Sequence, residues 1–222
     1  MSPSRNDIQF FGTLSAAMTH DMKNCLAIIN ENAGLLADLA VKAQDKAIPV
    51  DPLKAATISE KIGKQVARAD DMMKRFNRFA HSMDHDKETV DIEEAVDLVA
   101  RLSERILLQD RIRLTVIPAS APCRIHASRF AVLHLIFRAF DILCRNQTDG
   151  TSDSEKPVTV QFSSDPEMPE ICFIQDFRPE IKMESLFASP EDQALLARVN
   201  MNIKTMDSGA GFCLYTLPPA RE

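Results

Sequence analysis

Two long apolar stripes on either side of a proline-bearing break constrain this chain most. From about Ile8 to Ala43, the residues Phe11, Leu14, Met18, Met22, Cys25, Ile29, Leu36 and Leu39 recur in steps of three and four. One gap of seven is bridged by Asn32 or Ala33. A second stripe runs Ile58, Ile62, Val66, Ala69, Met73, Phe76, Phe79 or Ala80, and Met83. Near-heptad spacing of this kind is the mark of packed helices. Between the stripes, Asp45 to Pro52 holds two prolines and two aspartates, which end one helix and start the next. A long antiparallel helical hairpin follows. Two helices alone bury little, so pairing two hairpins into a dimeric four-helix bundle is the economical way to cover both stripes.

After His85 the periodicity changes. Val90-Asp-Ile is a short extended segment, and Glu93 to Gln109 reads as one amphipathic helix. Arg111 to Ile117 alternates as a strand, and Cys123 to His126 reads as another. Ser128 can cap a helix over Arg129 to about Arg145. Asn146 to Pro157 is polar and reads as a loop. Pro157–Phe162 and Ile171–Gln175 read as paired strands, followed by a helix over Pro190–Val199 and strands over Met201–Thr205 and Phe212–Leu217. The whole is α+β: a helical hairpin over 1–86, then an α/β sandwich over 87–222.

Composition removes several classes of function. With 45% hydrophobic residues the chain can build a core, and a net charge of −6 without a basic stripe argues against nucleic acid. No run of about 18 apolar residues exists to span a membrane, and the polar N-terminus carries no signal core. Five scattered cysteines, Cys25, Cys123, Cys144, Cys172 and Cys213, read as reduced thiols of a cytoplasmic protein, and no C-x-x-C pair suggests a metal. The ten methionines fall mostly on apolar stripes, where packing explains them.

The chemistry-bearing segment is Thr19-His-Asp-Met-Lys-Asn24. His20 lies roughly 200° around the helix from Met18, so it projects to solvent. A neutral imidazole is a good nucleophile toward phosphorus. Asp21 can hold the proton of the other ring nitrogen, Lys23 can meet phosphate charge, and Asn24 shares the face of His20 one turn later. An ordinary solvated helix face is the plainer explanation of the same residues.

His20-Asp21-Met22-Lys23-Asn24 resembles the H-box of the dimerisation and phosphotransfer domain of bacterial sensor histidine kinases, in the order histidine, acid, hydrophobic, base, Asn or Thr. Arg75 to Ala80, followed by Val90-Asp-Ile-Glu-Glu, looks like that family's exit from the hairpin into its ATP-binding domain. The resemblance implies that His20 receives phosphate, that Asp21 assists transfer and that Asn24 assists phosphatase chemistry. It continues at the level of framework in the second half. His134-Leu-Ile-Phe-Arg138-Ala139 stands where the family has Asn-Leu-x-x-Asn-Ala, and its second asparagine helps hold magnesium. Arginine has no acceptor for a cation. Asp176-Phe-Arg178-Pro-Glu180 stands where the family has Asp-x-Gly-x-Gly, with both glycines replaced. Gly209-Ala-Gly211 is similar to a terminal hairpin turn rather than a phosphate cradle. His126 and His134 read as a strand-end residue and a half-buried helix residue, and His81 and His85 carry little functional weight.

The resemblance therefore implies a degenerate ATPase domain: no nucleotide cofactor and no metal of its own, with magnesium supplied at a partner. The expected function is a histidine phosphotransferase that relays phosphoryl groups between receiver aspartates through His20, in a homodimer. The first helix begins almost at the N-terminus, so no sensor domain is expected before it. The receiver would dock near Ala16, Ala17, Cys25 and Ile28. Alternatives are a receiver phosphatase dependent on Asn24, a noncatalytic pseudokinase scaffold, and a divergent active kinase.

Overall fold

The computed structural model describes residues 3–46, 49–145, 155–163, 168–175, 187–206 and 211–216. The architecture is α+β, with an N-terminal helical hairpin and a C-terminal mixed sheet. Helix α1 spans Arg5–Lys46 and α2 spans Pro52–Ala80. By compactness the chain divides into one unit of Thr13–Arg78 and another of Met1–Gly12 with Phe79–Glu222. The first turns of α1 and the end of α2 thus belong to the second of these units.

Within the hairpin unit, Leu14, Met18 and Cys25 of α1 and Ile58 and Met72 of α2 are buried, and Cys25 Sγ lies 4.0 Å from Met72 Sδ. Asn32 fills the gap of seven; it is buried and its amide donates to the Ile28 carbonyl at 2.8 Å. On α2, Ile58 and Phe79 of the expected stripe are buried, and only the middle of the seam differs from the expected one. Met72 is buried while Met73 is 42% exposed, and Val66 is 52% exposed. The apolar content around α2 is wide enough to fit two neighbouring stripes, and spacing alone does not choose between them. Asp51 caps α2 by accepting from Leu53 N at 2.9 Å, and Pro52 occupies the first helical position, where its missing N–H costs nothing.

In the second unit, a 3-10 turn His81–Met83 leads to strand β1 (Glu88–Asp91), which pairs antiparallel with β3 (Arg124–Ala127). The expected single helix after β1 is two: α3 (Ile92–Leu102) and α4 (Glu104–Gln109). Buried Ser103 interrupts them at φ −99°, ψ 2°, outside helical geometry. Strands β2 (Ile112–Val116), β4 (Lys156–Phe162), β5 (Glu170–Gln175), β6 (Met201–Thr205) and β7 (Gly211–Thr216) form one sheet in the order β2-β4-β5-β7-β6. Among the described strands of this sheet, only β2 and β4 pair in parallel. Helix α5 (Arg129–Arg145) packs against α3 and against α6 (Pro190–Val199). Its Phe140 meets Phe173 of β5 edge-on, with centroids 5.9 Å apart.

Alternation decides which sheet face is covered. Val158, Val160, Ile171, Phe173, Phe212 and Leu214 are all buried by at least 98%, as period-2 strands with one apolar face require. Gly211 opens β7 because nothing larger fits: a Cβ there would stand 2.2 Å from the Phe173 carbonyl oxygen. The opposite face carries Glu170, Cys172, Cys213, Tyr215 and Lys204. On it the expectation of five reduced thiols is corrected. Cys172 and Cys213 are direct cross-strand partners and form a disulfide, while Cys25, Cys123 and Cys144 are free. Their separation of 41 residues hides the pairing in the sequence; strand register alone brings them together.

Candidate functional site: His20 on the first helix

Continuous α1 carries the whole candidate site, so its geometry is set by helical spacing alone. His20, Lys23 and Asn24 are exposed and Asp21 is half-buried. The His20 side chain keeps 49% of its accessible surface. Asn24 Nδ2 stands 3.2 Å from His20 Nδ1, a hydrogen bond between residues one turn apart. Asp21 Oδ1 lies 3.5 Å from the same nitrogen, within electrostatic reach though long for a hydrogen bond. Both neighbours therefore flank Nδ1. Nε2 has no hydrogen-bond partner among the described residues. The two contacts call for opposite tautomers. The Asn24 amide donates to a bare Nδ1 with the proton on Nε2. A proton on Nδ1 instead faces the Asp21 carboxylate, gives up the Asn24 bond and leaves the Nε2 lone pair free to attack.

Three of the four expected residues meet around one ring; Lys23 contributes exposed positive charge on the same turn. Of the expected docking residues, Ala16 and Ile28 are exposed and Ala17 is half-buried. Cys25 is withdrawn from that surface: it is 1% exposed, packed at the Met72 seam. His81 is bonded to Asp84 at 2.7 Å in the 3-10 turn, a local contact that accounts for it.

The second unit holds an arrangement that sequence reasoning missed. Asp7 and Ser4 form a reciprocal cap at the start of α1: Asp7 N donates to Ser4 Oγ at 3.1 Å, and Ser4 N donates to Asp7 Oδ2 at 3.0 Å. The same carboxylate accepts from His134 Nδ1 at 2.9 Å and from Arg198 Nη1 at 2.9 and 3.0 Å. His134 is buried rather than half-buried, and its ring stacks on Phe10 with centroids 4.6 Å apart and planes 3° from parallel. Burial pushes the His134 imidazole below its ordinary pKa, against the opposing pull of Asp7. Burial alone would raise Asp7; the Ser4 amide, Arg198 and His134 outweigh it and hold the carboxyl below its ordinary value.

The same device recurs one turn along α5. Ser189 caps α6 by accepting from Asp192 N at 3.0 Å. Asp192 receives Arg138 in a two-pronged pair at 2.7 and 3.0 Å. Asp141 takes another Arg138 nitrogen. These bonds to Asp192 raise the arginine's pKa further. His134 and Arg138, one turn apart on α5, thus each face an aspartate in the first turn of a capped helix. These residues do not fit a magnesium–nucleotide group. Arg138 offers no acceptor, and the carboxylates near it already hold guanidinium donors. Asp176, Arg178, Glu180 and Gly209 lie outside the described residues.

No protein-family model matches the chain, and no curated protein matches it. Among solved structures it is similar to the Acinetobacter baumannii histidine kinase AdeS, at a TM-score of 0.47 and 11% identity, over 90% of this chain and 98% of that one. It is similar to histidine kinase ThkA in complex with the response regulator protein TrrA, at 0.44 and 13%, over 98% of this chain and 65% of that one. It is also similar to the histidine kinase domain of a blue-light activated histidine kinase from Erythrobacter litoralis, at 0.42 and 14%, over 84% of this chain and 93% of that one. No described helix is long and apolar enough to cross a membrane.

Proposed function

We propose that this chain is a histidine-kinase-like phosphotransferase that carries a phosphoryl group on His20 between receiver-domain aspartates. One observation carries the reading: an exposed imidazole whose Nδ1 is flanked by Asp21 and Asn24 and whose Nε2 is open. In the forward step the Nε2 lone pair attacks the phosphorus of a receiver's aspartyl-phosphate. The N–P bond forms as the P–O bond to the aspartate breaks, and the carboxylate leaves. Asp21 stabilises the Nδ1 proton as the ring gains positive character. Lys23 offsets phosphoryl charge, and magnesium belongs to the receiver. The reverse step on a second receiver completes the relay.

The pairing of His134 with Asp7 and of Arg138 with Asp192 supports a route without ATP, since phosphoryl transfer from nucleotide needs positioned metal and backbone donors. A homodimer is part of the proposal. Leu26, Leu35, Val66 and Met73 stay between 42% and 58% exposed in a single chain, and full burial of such a side chain contributes roughly 1.5–3 kcal/mol.

Radiolabel transfer tests the reading. The purified protein is incubated either with a phosphorylated receiver domain or with labelled ATP and magnesium, and a His20→Ala variant accompanies each. Label arriving from the receiver, and absent from His20→Ala, is the expected result. Label arriving from ATP identifies a divergent kinase instead. Phosphate release from the receiver that depends on Asn24 and survives His20→Ala identifies a phosphatase.

A further inference from the structure

We propose that the Cys172–Cys213 pair is a reversible thiol–disulfide site whose co-substrate is a small-molecule thiol. The pair lies on the sheet face opposite the one that carries Phe173 and Phe212. Cys172 is half-buried and Cys213 is 2% exposed, so an incoming thiolate reaches Cys172 Sγ first. The two residues sit opposite each other in the β5–β7 ladder with Cα atoms 4.1 Å apart. Opening the bond leaves both sulfurs where the ladder holds them, so the bond can re-form without rearrangement.

Glu170 gives the site a bias. Its Oε1 lies 3.0 Å from Cys172 Sγ, while Oε2 receives Lys204 Nζ at 2.8 Å. Lys204 is itself held 5.3 Å above the Tyr215 ring. A disulfide sulfur has no proton to offer a carboxylate, but a thiol does. The Glu170 contact is therefore satisfied as a hydrogen bond only in the dithiol, and it favours reduction. The other cysteines are poorer reactants. Burial pushes the Cys123 and Cys144 thiols up, which reduces their thiolate fraction, and Cys25 is buried at the hairpin seam.

The chemistry balances with two equivalents of thiol. The first thiolate attacks Cys172 Sγ; the S–S bond breaks, and Cys213 leaves as a thiolate that takes a proton. A second thiolate attacks the outer sulfur of the mixed disulfide and releases the oxidised small molecule. Cys172 leaves as a thiolate, takes the second proton, and its S–H donates a hydrogen bond to the Glu170 carboxylate.

The test uses the full chain, equilibrated in glutathione buffers of graded oxidised-to-reduced ratio, quenched in acid, then denatured and labelled with maleimide. Intact mass counts the tags. The expected result is a single step between three and five tags, lost in Cys172→Ser and in Cys213→Ser. In Cys213→Ser, oxidised glutathione adds to Cys172. Glu170→Ala shifts the midpoint toward the disulfide by on the order of five-fold, the loss of one charge-assisted hydrogen bond at a partly exposed site. Five tags at every ratio, three tags even in excess reduced glutathione, or an unmoved midpoint in Glu170→Ala each overturn the proposal.

Discussion

Two histidines carry the same partner to opposite ends. His20 has a carboxylate oxygen 3.5 Å from Nδ1, and His134 has one 2.9 Å from Nδ1. Around His20 the helix leaves the other nitrogen to solvent and adds an amide. Around His134 the capped start of α1, the Phe10 ring and Arg198 close in, and the carboxylate is consumed from every side. An imidazole–carboxylate contact is therefore not in itself a reactive site. Exposure of the second nitrogen separates the two, because a buried pair holds a fold whereas an exposed one is free to react.

The largest effects come from removing each aspartate in turn. Asp7→Ala leaves the Arg198 guanidinium and the buried His134 nitrogen without their acceptor and removes the α1 cap. About 2–3 kcal/mol of stability is expected to go, somewhat below the full loss for a wholly buried pair because Arg198 is a third exposed. Urea melts measure it. Asp21→Ala removes only a surface contact, so its stability change stays within about 1 kcal/mol. Label transfer from a phosphorylated receiver should instead slow by roughly 10- to 100-fold, the usual scale for a group assisting proton placement. A slow-transferring Asp7→Ala that is folded at the assay temperature, or an Asp21→Ala with normal transfer, would erase the contrast between the two regions.

The contrast also has a pH signature. His134 has a folded pKa below its ordinary value. Above about pH 6.5, the unfolded value, neither state binds the proton, and its contribution is complete. As pH falls through that value, the unfolded chain gains a proton that the folded chain refuses, and stability declines. Asp7, held below its ordinary value, adds its own loss only below about pH 4, when the unfolded carboxylate begins to protonate first. Melts of the native chain should therefore weaken between pH 7 and 5. His134→Phe, which preserves an aromatic neighbour for Phe10, should flatten that slope. An equal slope in both proteins would assign the acid sensitivity elsewhere.

Much of this was legible before the structure, for identifiable reasons. Helices α5 and α6 and strand β6 have the bounds read from the sequence, because Ser128, Ser189-Pro190 and Asn200 punctuate them with caps and stops. That His20, Asp21 and Asn24 would lie together was legible because one helix holds all three, so spacing is geometry. The Asp7–His134–Arg198 cluster spans up to 191 positions in the chain, and no local pattern announces it. Its only sequence trace was Ser4-x-x-Asp7, the cap that fixes where the carboxylate sits. The Met72-for-Met73 seam and the Cys172–Cys213 bond failed to show for the same reason, since both depend on which face another element covers.

The smallest effect separates helix from sheet through glycine. Gly34 lies in α1 with nothing within 4 Å of the place a Cβ would take, in contrast to Gly211 against the Phe173 carbonyl. A helical glycine costs backbone entropy without any contact here to justify it. Gly34→Ala should therefore stabilise the hairpin by about 0.5–1 kcal/mol, a rise resolvable in paired thermal melts. The proposed homodimer sharpens the reading. If a second hairpin leaves this face open, the gain is the same at every protein concentration. If Gly34 instead marks a close approach between copies, Gly34→Ala weakens the assembly, and its melting temperature falls below the native value as concentration rises. The first outcome places the dimer seam on the exposed Leu26 and Val66 side of the helices; the second moves it to the glycine face.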